Sequence, residues 1–232
     1  MRYLDLTLPT AAENLALDEA LLEEAEAAPA ETLRLWESPQ PLVVVGRSSR
    51  IDVEVRVDVC RASGIPILRR ASGGAAVVTG PGCLMYALVL SYQLRPALRA
   101  VDRAHRFVLG TIGAALEPLV PDVQCRGTSD LAVGDRKFSG NSMRCKRSHL
   151  LYHGTLLYNF PLDLIGRCLA TPPHQPEYRQ GRAHESFVMN LALDAATLRR
   201  TMTAAWGAEE RRSEWPALRT TQLAGEKYRR YK

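Results

Sequence analysis

The sequence predicts an α+β fold, and three observations predict it. Stretches with strand alternation are interleaved with three or four helical stretches, without the strict one-for-one order of a parallel α/β sheet. Two apolar alternations flank a tight Gly134-Asp135 turn near the middle of the chain, the pattern of a hairpin. The run from Cys83 to Tyr92 is apolar at odd and even positions alike, as in a strand covered on both faces.

Taken in order, Thr10-Ala11-Ala12-Glu13 is a capping-box pattern, and Leu17, Leu21 and Ala25 follow at helical spacing, so a helix is expected over 11–28. Asn14 shares their face and needs a buried partner, whereas Asp18, Glu23 and Glu24 read as solvated. Residues 31–37 alternate as a half-buried strand, and 42–46 form the apolar run of a more central one. A helix over 53–62 stops at Gly64, where glycine allows a left-handed cap. Residues 65–70 return as a strand ending in Arg69-Arg70. Ser72-Gly73-Gly74 follows, where missing side chains let the backbone approach a ligand and present N–H groups to an oxyanion; a double glycine also serves as a plain turn.

Gly80-Pro81-Gly82 is a turn. Residues 98–119 form a helix with Val101, Val108, Ile112, Ala115 and Leu119 in a stripe and His105 and Arg106 on the wet side. Residues 150–158 are another strand, whose His153-Gly154 narrows the wall of a binding tunnel. His149 and His153 share a face but belong to no familiar ligand set, so no metal is assigned to protein ligands. A short helix over 161–170 precedes a Pro-rich, basic surface loop over 171–184, and Asp194 caps a last helix to about Gly207. Residues 211–232 form a basic tail, partly disordered or packed only at Trp215.

The stretch from Cys125 to Tyr158 concentrates the chemistry. On the returning strand Lys137 and Ser139 point one way and Arg136 and Phe138 the other, with Phe138 toward the core. Lys137 then reaches a carbonyl or phosphate oxygen beside Gly140-Asn141, or is a solvated strand lysine. Cys125 precedes Arg126-Gly127, where a nearby cation lowers a thiol pKa; the alternative is a small packed hydrophobe.

The run Cys125-x-Gly127-x-x-Asp130-Leu131, then Lys137-Phe138-x-Gly140 and His153-Gly154-Thr155, resembles the lipoate-protein ligases and octanoyltransferases, relatives of biotin-protein ligase. Arg69-Arg70-Ala71-Ser72-Gly73-Gly74-Ala75-Ala76-Val77-Val78 is similar to that family's acyl-binding loop and following strand. Asn14-x-Ala16-Leu17-Asp18-Glu19-Ala20 resembles its opening helix, and His184-x-x-Phe187-Val188-x-Asn190-Leu191 a late segment. The resemblance implies a mixed, mostly antiparallel sheet flanked by helices, as in the biotin/lipoate protein ligase catalytic domain, over residues 1–210. It also implies attachment of an octanoyl or lipoyl group to a lysine of a lipoyl-carrier domain, of the glycine cleavage H protein or 2-oxoacid dehydrogenase E2 type. Carried over to this chain, Cys125 and Lys137 are catalytic, and Arg69, Arg70, Ser72 to Val78, Asp130, Ser139, Gly140, His153, Gly154 and Thr155 bind substrate.

Two routes are open. In a ligase the acid is activated with Mg-ATP as an acyl-adenylate, and the Lys137 charge offsets that of the phosphate and carbonyl oxygens. In a transferase Cys125 takes the acyl group from an acyl-carrier donor as a thioester, and no cofactor is permanently bound. The register of Cys125, Ala75 in place of a third glycine, and Ser129 where ligases carry asparagine favour the transferase. The Gly134-Asp135-Arg136-Lys137 turn and His153-Gly154-Thr155 are equally ligase-like. The extra C-terminal domain of many ligases is not expected in this stretch, which either excludes adenylation or calls for a separate partner subunit to supply it. A biotin-protein ligase, whose Gly-Arg-Gly-Arg loop is absent, and a non-catalytic lipoate- or carrier-binding protein are the other readings.

The 232 residues suffice for one large domain, and no apolar run approaches a membrane span, so no membrane partner is expected. Acidic residues occupy the place of a signal-peptide core, and the five cysteines are odd in number with no C-x-x-C, which together point to a reduced cytoplasm. The net charge of +5 favours an acidic protein partner; the basic residues are scattered, and no nucleic-acid module is recognised.

Overall fold

Strand β1 (Arg2–Asp5) is joined to its parallel partner β2 (Thr32–Trp36) through helix α1 (Ala11–Ala25). The computed structural model describes residues 1–27, 29–228 and 231; Ala28, the end of the expected first helix, and Arg229, Arg230 and Lys232 of the expected tail lie outside the described residues. The capping box closes α1: the Glu13 amide donates to Thr10 Oγ1 at 3.2 Å and the Thr10 amide to Glu13 Oε2 at 3.0 Å. Asn14 finds its partners, donating to the Leu8 and Thr10 carbonyls. Asp18 is not solvated as expected. It lies under fully buried Arg34 of β2, with Nη1 2.5 Å from Asp18 Oδ1, and β2 is buried at all five positions rather than half-buried.

Next come β3 (Leu42–Val45), α2 (Ile51–Glu54) and α3 (Val57–Ala62). The single helix expected over 53–62 is broken at Val55, which bridges to Leu169, and the Arg56 amide leaves the helix for the Cys168 carbonyl. Strands β4 (Ile67–Arg69), β5 (Val77–Thr79) and β6 (Cys83–Ser91) follow, and all nine residues of β6 are buried. Helix α4 (Val101–Leu116) buries Ala104, Val108, Leu109, Ile112 and Leu116, a stripe counted from Ala104, while Val101 and Leu119 are exposed. His105 is therefore on the packed side, not the wet one, and its Nδ1 lies 2.9 Å from the Tyr152 hydroxyl.

A meander of β7 (Val123–Arg126), β8 (Asp130–Val133), β9 (Arg136–Cys145) and β10 (His149–Leu157) contains the predicted hairpin, with Gly134 at φ +57° in its turn. Then come α5 (Asp163–Cys168), α6 (His184–Phe187), α7 (Ala195–Ala205) capped by the Asp194 carboxylate, and the two-residue β11 (Glu210–Arg211). The segment expected as a loosely packed tail forms α8 (Ala217–Glu226) against α1: Leu223 is fully buried, and Lys227 and Tyr228 reach buried Glu19 at 3.0 and 2.7 Å.

The strands make an eight-stranded sheet in the order β11-β1-β2-β6-β10-β9-β8-β7 and a three-stranded sheet in the order β4-β3-β5. Among the described strands β1 pairs in parallel with β2 and β11, and β3 with β4, while the others pair antiparallel, so the fold is α+β with a mixed, mostly antiparallel sheet. One face of the large sheet packs on α4 and α7, through Leu33, Tyr86, Leu88, Tyr152, Ile112 and Met202. The small sheet, α1 and α5 share a second core through Ala16, Val43, Leu68 and Ile165. Among the described residues no helix is long and apolar enough to cross a membrane.

Candidate active site

A cavity of about 690 Å³ opens where the loop after β4 faces β9 and β10, within the range of small-ligand sites. Leu15, Val44, Val78, Met85, Leu157 and Phe187 give part of it an apolar lining suited to a hydrocarbon chain. Polar groups converge at the β8–β9 side. Arg70, Gly74 to Val78, Asp130, Lys137, Ser139, Gly140, His153, Gly154 and Thr155 line the cavity; Ser72 and Gly73 stand behind that wall.

The loop 71–75 owes its shape to donors around it. Arg144 takes the Ala71 carbonyl, the Arg47 amide that of Ser72, Arg70 and Ser142 that of Gly73, Ser49 that of Gly74, and Arg70 that of Ala75. Five successive carbonyls are thus engaged by protein donors, while the amides of Gly73, Gly74 and Ala75 have no acceptor among the described residues. Gly74 has φ +84°, a conformation that needs glycine. Burial pushes the Arg70 guanidinium down to about 10, still charged at neutral pH. Arg69 points elsewhere and binds the carbonyls of Gly46, Arg47 and Ser49, so it shapes the neighbouring loop without lining the cavity.

Lys137 is one-quarter exposed, and its Nζ lies 2.7 Å from Asp130 Oδ1; the other Asp130 oxygen accepts from the Tyr178 hydroxyl at 2.8 Å. Gly140 makes this possible, since a Cβ there would fall 2.8 Å from both Cε and Nζ of Lys137. A β-bulge at Leu131/Ala132 sets Lys137 opposite Ala132 and Ser139 opposite Leu131, so the simple two-residue alternation expected for Lys137 and Ser139 is interrupted. Phe138 is fully buried, as expected.

His153 belongs to a buried chain of polar groups. Its Nε2 is 2.5 Å from Ser72 Oγ, and its Nδ1 faces Asp18 Oδ2 at 3.6 Å. Ser72 Oγ also accepts from Arg70 Nε at 3.1 Å. The order Ser-His-Asp is that of a hydrolytic triad, but buried Ser72 is turned away from the cavity and fastens the loop to α1 and β10.

Cys125 is not brought to this site. It pairs with Leu131, and residues directly opposite in an antiparallel pair share a face. Leu131 packs toward α4, whereas Asp130, paired with Lys137, faces the cavity. Cys125 is exposed on the edge strand β7 and absent from the cavity lining. The cation expected to lower its pKa does not act: partial burial of the thiol pushes it up.

Several cavity residues were not anticipated from the sequence. Glu54 accepts the Ala76 amide at 2.7 Å and holds the end of the loop. Asn141 accepts from Tyr86, donates to the Ser129 carbonyl at 2.8 Å, and fills the space left by Gly154. The connection over 171–184, expected as a surface loop, forms a cavity wall instead: Pro172 to Pro176, Arg179 and His184 line it, and Tyr178 anchors it on Asp130. Gly127, the third residue of the Cys125 motif, leaves room for Pro176, to which a Cβ would approach within 3.1 Å. Among the described residues no group of three or more His, Cys, Asp or Glu side chains is placed to hold a metal ion.

Comparison with known proteins gives this geometry a context. The family described as the lipoyl protein ligase A/B catalytic domain matches residues 10–205. Lipoate-protein ligase 1 of Staphylococcus aureus is 30% identical over 189 residues, covering 81% of this chain and 54% of its own. The octanoyl-[GcvH]:protein N-octanoyltransferase of Kyrpidia tusciae is 34% identical over 163 residues, covering 63% of this chain and 57% of its own. The chain spans about half to three-fifths of the length of such curated relatives. In structure it is similar to a bi-partite lipoate protein ligase from Thermoplasma acidophilum, studied with its E2 lipoyl domain, at a TM-score of 0.77 and 22% identity over 97% of this chain and 90% of that one.

Proposed function

The chain belongs to the lipoyl protein ligase A/B catalytic-domain family, and on that premise we propose that it attaches a lipoyl or octanoyl group to a lysine of a lipoyl-carrier domain by way of an acyl-adenylate. One observation carries the choice of route. The Lys137 ammonium stands in the cavity on Asp130, while Cys125 is exposed on the opposite face of the β7–β9 meander, where partial burial pushes its thiol pKa up and not down.

In this reading the acyl chain lies along Leu15, Val44, Val78, Met85 and Leu157. The carboxylate attacks the α-phosphorus of ATP and pyrophosphate leaves. The target lysine, as the free amine, then attacks the acyl carbonyl and AMP departs. Lys137 and the unengaged amides of Gly74 and Ala75, which line the cavity, offset the charge that gathers on the phosphate and carbonyl oxygens. Magnesium would enter with the nucleotide, on its phosphates. The Staphylococcus ligase and the bi-partite archaeal enzyme with its E2 lipoyl domain support both the reaction and the class of acceptor. The Kyrpidia octanoyltransferase is the observation that keeps thioester transfer through Cys125 as the second reading.

The test is the intact mass of an apo lipoyl-carrier domain after incubation with octanoate or lipoate plus Mg-ATP, and separately with an octanoyl-carrier and no nucleotide. Acylation that requires ATP and survives Cys125→Ser is expected. Acylation from the octanoyl-carrier alone, abolished by Cys125→Ser, would reverse the assignment.

A further inference from the structure

Arg179 is 3% exposed and lines the cavity, yet among the described residues no carboxylate is paired with it. Its Nε donates to the Arg182 carbonyl at 3.0 Å, and its guanidinium lies over the Phe187 ring at 4.9 Å. Nη2 is buried without a hydrogen-bond partner among the described residues. Buried polar groups are ordinarily satisfied, and a buried guanidinium ordinarily has a counter-ion. The nearby carboxylate, Asp130, is already engaged by Lys137 and Tyr178. Close by, His184, with Nε2 3.2 Å from the Ala170 carbonyl, feels the charges of Arg179 and Lys137 and, against them, that of Glu185.

The turn that presents Arg179 is held firmly. Arg182 Nε returns a bond to the Arg179 carbonyl at 3.1 Å, and Nη1 of Arg182 pairs with Asp135 at 2.9 Å. Gln180 takes a left-handed φ of +51°, a conformation that side chains other than glycine seldom adopt. The guanidinium is therefore oriented before any ligand arrives.

We infer that Arg179 forms an oxyanion subsite at the β8 side of the cavity, receiving a phosphate or carboxylate oxygen of the substrate on the terminal nitrogens of its guanidinium. The reading of the site as one that joins an acid to a nucleotide supplies two sources for that oxygen: the polyphosphate and the acid itself. The presence of the subsite rests on the orphaned donor alone; only the choice of source rests on the proposed function.

The experiment measures binding, not turnover, by titrating wild-type protein, Arg179→Gln and Arg179→Lys with inorganic pyrophosphate and, separately, with octanoate. For Arg179→Gln the affinity for at least one probe is expected to fall by about tenfold or more, the loss of a charge-assisted hydrogen bond. Arg179→Lys, which keeps the charge but not the fork, is expected to lose less, though still about threefold. A fall confined to pyrophosphate assigns the phosphate source, and one confined to octanoate assigns the carboxylate. Wild-type protein that binds neither probe, or Arg179→Gln within about twofold of wild type on both, overturns the inference. If the Gln variant lacks the native circular dichroism, the Lys variant decides, and an affinity unchanged on both probes overturns it. Because no carrier domain is present, a failure of carrier acylation leaves this result intact, and loss of the subsite leaves the acylation test intact.

Discussion

Gly140→Ala separates the position of the Lys137 ammonium from the stability of the fold. An added Cβ would stand 2.8 Å from both Cε and Nζ of Lys137, against ordinary contacts of 3.4–4 Å, so the end of the side chain must retreat by about 0.6 to 1.2 Å. The atoms in conflict belong to the free end of a flexible side chain, and Gly140 does not need a left-handed φ. Two small terms then govern stability. A partly exposed ion pair such as Lys137–Asp130 is worth at most about 1 kcal/mol, and replacing glycine by alanine inside a strand returns roughly 0.5–1 kcal/mol. Unfolding free energy should change by less than about 1 kcal/mol. Catalysis is more exacting, since a misplacement of about 1 Å can cost on the order of 100-fold. Single-turnover acylation of a lipoyl-carrier domain, followed by intact mass, should therefore slow by ten- to 100-fold, roughly, while urea unfolding is nearly unchanged. An unaltered rate would refute the role given to Lys137. So would a stability loss beyond about 2 kcal/mol with the rate merely following the folded fraction.

Gly154→Ala should behave oppositely, because its Cβ would lie 1.8 Å from Asn141 Oδ1 and 3.0 Å from the Gly140 carbonyl; displacing Asn141 and stranding the Tyr86 hydroxyl should cost about 2–4 kcal/mol in urea unfolding, and a loss under about 0.5 kcal/mol would contradict that packing. Asp18→Ala leaves fully buried Arg34 without its carboxylate and should cost about 3–5 kcal/mol, whereas replacing both partners with apolar residues should recover much of that loss; equal losses in the single and double variants would argue against a buried pair. Burial holds His105 and His184 below their ordinary 6.5, so the unfolded chain takes up protons first: their contribution to stability is full above about pH 6.5 and is lost as pH falls toward their lower folded values. His105→Gln should flatten this decline in melts between about pH 5 and 7, and an unchanged slope would remove His105 from the account.

How far the sequence could be read depended on whether a residue's role was local. The capping box at Thr10–Glu13, the Gly134 turn and the apolar β6 are local patterns, and each appears where expected. The motif residues around Lys137 and His153 meet in one cavity because β8, β9 and β10 are consecutive and hairpin-linked. Asp18 and His105 were misjudged for one reason: a polar residue on a helix declares itself buried only when its distant partner, Arg34 or Tyr152, is known. Cys125 shows the same limit in a strand. The family resemblance set it beside Lys137 as a catalytic residue, but pairing with Leu131 turns it to the other face. Nothing in the Pro-rich run before His184 signalled that it would close the cavity, since that depends on Tyr178 finding Asp130, 48 residues earlier.

The loop at residues 71–75 has a dynamic consequence. Its five carbonyls are tied to side chains and backbone on several elements, yet three of its amides are bound to nothing described in the protein. Backbone rigidity and solvent protection, which usually rise together because one hydrogen bond supplies both, are here uncoupled. Gly73, Gly74 and Ala75 should show the high NMR order parameters of ordered backbone and, at the same residues, amide hydrogen exchange nearly as fast as in an open chain. A bound oxyanion in the cavity would slow exchange at Gly74 and Ala75, which line it, without changing the order parameters.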